Sequence, residues 1–583
     1  MIHLLTLLPL LTLSQAPASQ SGFPGLALAV KPRVEIAWNR FYDAEGIHEL
    51  LDRLEAQWPD LLTHEVIGRS IEGRELRVYS LTDPSTGPAA DKPAMWVDAN
   101  VHGNEVQGAE ACVYLLWYLL ENHGGVERVD RLLERCAFYV LPVVNPDGPA
   151  RWFAGANDAH SSRTGVAPTD NDRDGRYDED GPDDLDGDGH IVQMRKYVPG
   201  EGTHRLDPDD PRRMVWVGPN DLGIRGDWIL LGEEGLDNDG DGRVNEDSLG
   251  GYDMNRAWPA AWQPGHVQYG AGPYPLYWPE TRTIASFLYE HPNIAALQSF
   301  HNAGGMILRG PGAEVYGEYE RADLAVFDEL GRDGEKMLPF YRYMILWKDL
   351  YSVFGGFATW GYEGLGIISF TNELWNQAQR YPDGRGDGGQ AGSLFFDDAL
   401  LLGEGFVDWH PAPAPHEVYG DIELGGFRKD VGRVPPTFLI EEMIHRNALF
   451  CVKHAEAMPD VRVASVAVEP LGDGLSAVDV VFRNERPIPT RTARAATARI
   501  GEPDLLTLES EQLEVLAGGT RSDRFRPERF DFVERDPARL VREHGLPGRG
   551  EVRVRWIVRG SGVGRIGWSG RQGRDVFVPV QVE

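Results

Sequence analysis

Two histidines and two glutamates lie where apolar, strand-like runs of the chain end: His102, Glu105, His301 and Glu373. Strands that end at one edge of an α/β sheet bring such side chains together. Two His ligands, one Glu ligand and an open fourth position make a hydrolytic zinc site, in which a separate Glu acts as general base. The pattern therefore predicts that His102, Glu105 and His301 bind one Zn²⁺ and that Glu373 is the base.

Taken singly, each of these residues also has a purely structural interpretation. A His-x-x-Glu pair at a helix start is usually a cap or a solvated charge, a His at a strand end is often a core residue, and Glu373 would be a buried ion-pair partner. Their occurrence together, in order and in similar contexts, favours the metal site.

Six short motifs surround these residues in one order along the chain. They are IGRSIEGR at 67–74, HGNE at 102–105, NPDG at 145–148, DMNR at 253–256, SFH at 299–301 and SFTNEL at 369–374. With these motifs the chain, over about residues 40 to 455, resembles the zinc metallocarboxypeptidase family, the pancreatic-carboxypeptidase-like peptidases. The resemblance implies that peptide or protein C-termini are the substrate.

The resemblance also implies which residues bind that substrate. A bidentate Arg recognises a free carboxylate with geometric selectivity, and the matching position is Arg256, with Asn255 beside it. Tyr351 matches the family's mobile, substrate-covering tyrosine, for which a core aromatic is the structural alternative. These assignments place one end of the substrate at Arg256.

The family's oxyanion-stabilising arginine follows the NPDG motif, where a long insert interrupts the resemblance. Arg163, fifteen residues beyond Gly148, is the nearest candidate, and Arg195 is the alternative. Both also have a structural interpretation as partners of the surrounding aspartates. Arg163 is the prediction.

The side-chain pocket that the resemblance implies lacks an acidic residue. Its family positions correspond to Gly312, Ala358 and Thr359, and Asn104 stands where pancreatic members have an Arg between the first two ligands. A preference for C-terminal Lys or Arg is therefore not favoured. Apolar or small residues, or peptidoglycan stems, fit such a pocket.

Two other functions remain open from the sequence. The same zinc triad serves amide deacylases that act on acyl-amino acids or peptidoglycan stems, although Asn255, Arg256 and Tyr351 favour peptides. A non-catalytic, calcium-dependent surface-binding protein is the alternative that is not an enzyme. The intact set of ligands and base favours an enzyme, a zinc metallocarboxypeptidase.

Alternation of strand-like and helix-like runs predicts the fold class. Val66 and the run at 76–81 predict a hairpin around the turn at 72–73, the runs at 94–101 and 137–144 read as strands, and those at 42–62 and 109–120 read as helices. This order predicts an α/β domain with a mixed sheet flanked by helices over residues 35–458. From about Val461 short alternating runs with Gly and Pro turns predict an all-β sandwich over residues 460–583. That domain is expected to be an accessory.

An Asp- and Gly-rich insert occupies residues 157–250 and contains an internal repeat. The segments 170–180 and 237–247 are identical at eight of eleven positions, and 184–189 repeats the first half. Asp at alternate positions followed by Gly is typical of a Ca²⁺ loop, although Gly181 and Ser248 replace the Glu of a full EF-hand. The alternative is a solvated acidic loop. The predicted calcium ligands are Asp170, Asp172, Asp174, Asp184, Asp186, Asp188, Asp237, Asp239 and Asp241.

Composition restricts the partners and the location. A formal net charge of −33 argues against nucleic acid and anionic membrane surfaces as partners. Residues 1–18 combine an apolar run with small residues, which predicts a signal peptide and a secreted or periplasmic protein without a membrane span. Three cysteines are too few for a disulfide framework, so Cys112, Cys136 and Cys451 are expected to be buried thiols, with one disulfide as the alternative.

Overall fold

This computed structural model describes residues 32–156, 163, 165, 168, 170, 173–218, 220–221, 223–246, 252–381, 389–521, 525–526 and 529–583. The predicted signal peptide and Asp172 lie outside the described residues. Within the described ranges, no helix is both long enough and apolar enough to span a bilayer.

The elements of the first 456 residues are numbered in chain order. The strands are β1 (Leu62–Arg69), β2 (Glu75–Leu81), β3 (Ala94–Ala99), β4 (Ala137–Leu141), β5 (Gln193–Gly202), β6 (His204–Leu206), β7 (Met214–Trp216), β8 (Gly226–Glu233), β9 (Ile294–Asn302), β10 (Met306–Arg309), β11 (Arg342–Ile345), β12 (Ile368–Leu374), β13 (Phe406–Pro411) and β14 (Glu423–Phe427). The helices are α1 (Ala44–Gln57), α2 (Gln107–Asn122), α3 (Glu127–Arg135), α4 (Asp147–Ala154), α5 (Pro279–Glu290), α6 (Arg321–Met337), α7 (Phe357–Glu363), α8 (Gln390–Phe396) and α9 (Ile440–Glu456).

Eight strands form one mixed sheet in the order β1-β2-β4-β3-β9-β12-β10-β11. The central strands β4, β3, β9 and β12 are parallel, whereas β1, β2 and β10 join them antiparallel. Alternate residues of β3 enter two different cores: Met95 and Val97 pack with α1, α2 and α9, and Trp96 packs with α5 and α7. The predicted mixed sheet with helices on both faces is confirmed.

The predicted local elements are mostly confirmed, with differences at their ends. The helix expected at 42–62 is α1, which begins after Asp43, whose side chain accepts a hydrogen bond from the Gly46 amide (2.8 Å). It ends at Gln57 rather than at Leu62, because Leu62 is the first residue of β1 and pairs with Leu81. Sheet pairing there overrides helical periodicity.

The Asp-rich insert contains a sheet that the sequence analysis did not predict. Strands β5 to β8 pair with β13 and β14 in the antiparallel order β13-β14-β5-β8-β6-β7. Most residues of these strands are only half-buried, so hydrophobic alternation along them is weak. A second segment some 200 residues away in sequence completes the sheet.

The C-terminal region consists of two antiparallel sheets. Its elements are β15 (Val461–Gly472), β16 (Leu475–Asn484), α10 (Ala493–Thr497), β17 (Asp504–Glu509), β18 (Glu514–Thr520), β19 (Asp531–Phe532), β20 (Arg539–Arg542), β21 (Glu551–Arg559), β22 (Gly562–Ser569) and β23 (Val576–Val582). The sheets have the orders β15-β16-β21-β18-β19 and β20-β17-β22-β23. Phe482, Trp556 and Trp568 lie in the core that the two sheets share. This arrangement confirms the predicted all-β region.

Asp323 on α6 connects the two regions. Its carboxylate is 1% exposed and accepts hydrogen bonds from the backbone amides of Ala493 and Arg494 (2.9 Å each) and from the Tyr362 hydroxyl (2.8 Å). We expect Asp323→Ala to lower the free energy of unfolding by about 3 kcal/mol, because it leaves the buried Tyr362 hydroxyl and two part-buried backbone amides without this acceptor. Urea unfolding of the full chain measures this change.

Asp333→Ala, on the same helix, is the matched control. Asp333 pairs with Lys336 and Lys453, whose side chains are exposed, so its loss should change the free energy of unfolding by less than about 1 kcal/mol. Equal losses in the two variants would show that the Asp323 hydrogen bonds add no more than a surface ion pair.

Candidate active site

Three buried side chains converge at the carboxyl ends of β3 and β9. Nδ1 of His102 lies 2.9 Å from Oε1 of Glu105, and Nδ1 of His301 lies 3.0 Å from Oε2 of the same carboxylate. One donor atom from each residue lies within 4.8 Å of the other two, and all three residues are at most 2% exposed. The predicted ligand set is thus assembled in space.

The loop after β3 explains how His102 and Glu105 reach this point. Asn100 takes a left-handed conformation (φ 55°), which an Asn tolerates and which turns the chain out of the strand. A Cβ at Gly108 would lie 2.9 Å from Cβ of Ala99, so only a glycine lets the start of α2 pack against the strand end. The two ligands are held in the short turn between these positions.

Asp253 orients the first ligand. Its carboxylate accepts a hydrogen bond from Nε2 of His102 (3.0 Å), which leaves the lone pair of Nδ1 facing the other ligands. The same oxygen accepts the Asn255 amide at 2.8 Å, so Asp253 is itself fixed. Asp253 is not among the site residues predicted from the sequence, although its position in the DMNR motif was a signal for it.

The electrostatics of the cluster fit a divalent cation. Burial alone would raise the pKa of Glu105, but His102, His301 and Arg163 hold that pKa well below its usual range, so the carboxylate is ionised. Its Oε2 atom is buried, and Nδ1 of His301 lies 3.0 Å from it. Two imidazole nitrogens and one carboxylate oxygen are a donor set that zinc prefers.

Glu373 lies on β12 beside the cluster. Its residue position pairs with His301 across the parallel strands β12 and β9. Burial and the nearby Glu105 carboxylate raise the pKa of Glu373 above its ordinary value, although His301 lowers it. A carboxylate with a raised pKa next to the ligand set is suited to accept and return a proton.

The predicted substrate-binding residues line the same cleft as the ligands. Arg163, Asn255, Arg256 and Tyr351 border it together with His102, His301 and Glu373. Arg256 donates from Nη1 to the Asn255 carbonyl (2.8 Å), and the Asn255 side-chain oxygen accepts the Phe357 amide (2.8 Å). Tyr351 is 52% exposed at the mouth, directly after the turn Leu346–Leu350. Its exposure excludes the core-aromatic interpretation.

Comparison with known proteins identifies the family of the region that contains this site. Residues 47–183 and 232–385 match the family model described as zinc carboxypeptidase. This metallocarboxypeptidase-like chain belongs to the zinc carboxypeptidase family. The gap between the two matched segments falls in the Asp-rich insert, and residues 460–576 match a domain of unknown function.

Individual relatives match over short stretches. Carboxypeptidase B of Astacus astacus is 31% identical over 116 residues, which are 20% of this chain and 36% of the relative. An inactive metallocarboxypeptidase of Saccharomyces cerevisiae is 30% identical over 113 residues, 19% of this chain and 26% of the relative. The chain therefore spans only about a third of the length of these relatives. Among solved structures, thrombin-activatable fibrinolysis inhibitor has a TM-score of 0.42 and 16% identity, covering 73% of this chain and 76% of that chain.

Of the two oxyanion candidates in this zinc carboxypeptidase family member, only Arg163 lies at the site. Its Nη1 atom is 2.7 Å from Oε1 of Glu105, and its carbonyl accepts the Gly103 amide. Arg195 instead lies in the insert sheet, where it pairs with Glu423 (2.6 Å) between the rings of Trp228 and Trp409. Arg195 has the structural role that was its alternative interpretation.

The metallocarboxypeptidase-like cleft has apolar side chains beside its polar ones. Its described lining includes Leu308, Leu346, Leu350, Val353, Phe357, Ala358 and Thr359, and Glu373 is the only carboxylate in it. A Cβ at Gly312 would lie 2.2 Å from the Val353 carbonyl, so an acidic side chain does not fit there without backbone movement. This geometry agrees with the expectation that basic residues are not preferred.

One further cation near the ligands was not predicted from the sequence. Nη2 of Arg433 lies 3.4 Å from Oε1 of Glu105. Arg433 follows the region matched by the zinc carboxypeptidase model, and no motif marks it. Sequence reasoning had no signal for it.

The predicted calcium ligands fall mostly into three described groups of oxygen atoms. The groups are Asp174 with Glu179 and Asp239, Asp184 with Asp186 and Glu234, and Asp237 with Asp239 and Asp241. Asp170 and Asp188 accept backbone amides within their own loops and belong to none of these groups. The structure also brings in Glu179 and Glu234, which the sequence analysis did not select.

The three cysteines are free, buried thiols. The disulfide alternative is therefore wrong for this structure.

Proposed function

We propose that this protein is a zinc-dependent carboxypeptidase that removes C-terminal residues from peptides. The observation that supports this most is that Arg256, Tyr351 and several apolar side chains line one cleft with His102, His301 and Glu373. A guanidinium there recognises the terminal carboxylate, and the cleft accepts the last side chain.

The side chains divide the work between them. Zinc, when bound by His102, Glu105 and His301, supplies a Lewis acid and lowers the pKa of a water toward neutrality. Glu373 takes the proton of the attacking water on its carboxylate and returns it to the leaving amine.

Arg163 and Arg256 bind two different groups of the substrate, the scissile carbonyl and the terminal carboxylate. Arg163 donates from its guanidinium to the oxygen of the scissile carbonyl as negative charge develops there. Arg256 and Asn255 hold the terminal carboxylate, and Tyr351 covers it from the mouth of the cleft. These contacts orient the last peptide bond against Glu373.

The test is the zinc content of the full chain together with a substrate panel. N-blocked dipeptides with different C-terminal residues, their C-terminal amides, and N-acetyl amino acids are compared. We expect one zinc per chain and release of apolar C-terminal residues from the free acids alone. Cleavage of N-acetyl amino acids without the dipeptides would identify an amide deacylase, and absence of zinc and turnover would identify a binding protein.

Replacing Arg256 by Gln removes the carboxylate-binding fork. We expect kcat/KM on the preferred free-acid dipeptide to fall about 100-fold, mainly through KM, because a charge-assisted bidentate contact is lost. The ratio of activities on the acid and the amide should collapse toward one. An unchanged ratio would remove Arg256 from substrate recognition. Arg321→Gln, at the start of α6 and away from the cleft, is the control.

The Asp-rich insert binds calcium in this proposal. Beside the oxygen groups, the two carboxylate oxygens of Glu246 are buried next to the carboxylate of Asp180. Burial and the neighbouring Asp180, itself fully buried, raise the pKa of Glu246 to about 7. A cation that joins the two repeats removes this repulsion between carboxylates.

Calcium removal is therefore expected to loosen the insert before the core. Chelation should expose residues 170–246 to limited proteolysis and lower the melting temperature by several degrees, and added Ca²⁺ should reverse both effects. Asp239→Asn, which alters two of the oxygen groups, should mimic chelation, whereas Asp60→Asn, an exposed residue outside the insert, should not. Protection that is independent of calcium would contradict the calcium proposal.

Export completes the proposal, because residues 1–18 have the composition of a signal peptide. Sequencing the N-terminus of the protein recovered outside the cytoplasm tests it; an intact Met1 on the recovered protein would contradict cleavage near residue 18.

A further inference from the structure

A short segment beyond the family match, residues 432–434, lies against the metal site. The Gly432 carbonyl accepts hydrogen bonds from the Trp375 indole (3.2 Å) and the Gln377 amide (2.9 Å). Val434 packs against Val106 in a small buried cluster. The segment therefore contacts the chain two residues after Glu373 and one residue after Glu105.

Arg433 continues these contacts with its backbone. Its carbonyl accepts hydrogen bonds from the side-chain amides of Asn302 (3.0 Å) and Gln107 (3.4 Å), both of which are buried. Asn302 follows the ligand His301 directly. The same segment thus touches the neighbours of two ligands and of the proposed base, and it does so through buried polar groups that have little freedom to rearrange.

The guanidinium of Arg433 points to the ligand carboxylate. Nη2 lies 3.4 Å from Oε1 of Glu105 and 3.2 Å from the Asn302 carbonyl, which it reaches as a hydrogen-bond donor. The side chain is 22% exposed, and its Nε atom is buried with no hydrogen-bond partner among the described residues. One cation therefore bridges the loop that carries Glu105 and the strand end that carries His301.

Arg163 and Arg433 share the same oxygen of Glu105 but differ in their access to the cleft. Arg163 approaches it to 2.7 Å and lines the cleft, whereas Arg433 is not among the described lining residues. If the Arg163 guanidinium turns to the substrate oxyanion, Glu105 loses the shorter of its two arginine contacts. A second cation that stays in place keeps the carboxylate oriented during that exchange.

We propose that Arg433 is a positioning residue that holds Glu105 and the chain after His301 in the geometry required for zinc binding, while Arg163 serves the substrate. The proposal rests on the proposed zinc carboxypeptidase function for the role of Arg163. Its zinc-binding part is independent of which amide bond is hydrolysed.

The test compares Arg433→Met, which keeps length but removes charge, with Arg433→Lys and the control Arg428→Met. Arg428 lies in the same stretch of chain but donates to the Glu404 carbonyl and pairs with Asp430, away from the ligands. Zinc affinity is measured by competition with a chelator of known affinity, and kcat and KM are measured at saturating zinc.

We expect Arg433→Met to weaken zinc binding about 10- to 100-fold and to lower kcat, with KM changed by less than about threefold. Arg433→Lys should recover part of the zinc affinity, and Arg428→Met should retain native affinity. Unchanged zinc affinity in Arg433→Met, an increase in KM alone, or an equal effect of Arg428→Met would each overturn the proposal.

The two proposals fail in different ways. Native zinc binding without peptide hydrolysis would refute the carboxypeptidase function but leave the affinity comparison decisive for Arg433. Hydrolysis with normal zinc affinity in Arg433→Met would refute the positioning role alone. A native chain that binds no zinc would refute both.

Discussion

Glu373→Gln is expected to reduce kcat about 1,000-fold while the chain retains one zinc. The amide keeps the shape of the side chain but cannot accept the proton of the attacking water, and general-base catalysis contributes about 10²- to 10⁴-fold. KM should change little, because Glu373 is not proposed to hold the substrate. Initial rates on the preferred dipeptide and metal analysis of the same samples give both quantities.

The control for this variant is Glu290→Gln, at the exposed end of α5. It should keep native rates. Retention of more than a third of the native kcat in Glu373→Gln would exclude Glu373 as the base. Loss of zinc from that variant would instead show that Glu373 supports the ligand set.

His301→Ala is expected to lower zinc affinity by about 1,000-fold or more and to abolish hydrolysis at ordinary zinc concentrations. The substitution removes one of three donors and leaves Glu105, a buried ionised carboxylate, with one imidazole partner fewer. Chelator competition measures the affinity, and the melting temperature with and without zinc measures the lost stabilisation by the metal.

His291→Ala is the matched control, because His291 lies just before β9 and stacks on Phe287, 3.8 Å away, remote from the ligands. It should bind zinc normally even if the melting temperature falls. A His301→Ala chain that binds zinc as tightly as the native chain would mean that the three residues are not the ligand set.

The element ends show how far local patterns extend. The strand predicted at 137–144 ends at Leu141 in β4, and the helix predicted at 109–120 extends over Gln107–Asn122 in α2. Periodicity identifies such elements because burial of one face repeats along the chain. The residues at which these elements end depend on turns and on pairing with distant strands, and the spacing of apolar residues carries no information about either.

The insert has a sheet that hydrophobic periodicity does not indicate. Its Asp repeats indicated calcium loops, yet strands β5 to β8 were missed, since a half-buried sheet leaves little hydrophobic pattern. Glu234, which lies outside the repeat, likewise joins an oxygen group only through folding.

The sequence by itself predicted the proposed ligand set His102, Glu105 and His301, the proposed base Glu373, the α/β class and the C-terminal sheets, because these predictions follow from short motifs and from the period of apolar residues. Only the tertiary structure decided between Arg163 and Arg195, placed Asp253 behind His102 and brought Arg433 to Glu105. The physical reason is that the interaction energy of two charges depends on the distance between them. Residues more than 300 positions apart in sequence, such as Glu105 and Arg433, come within that distance only after the sheet has formed.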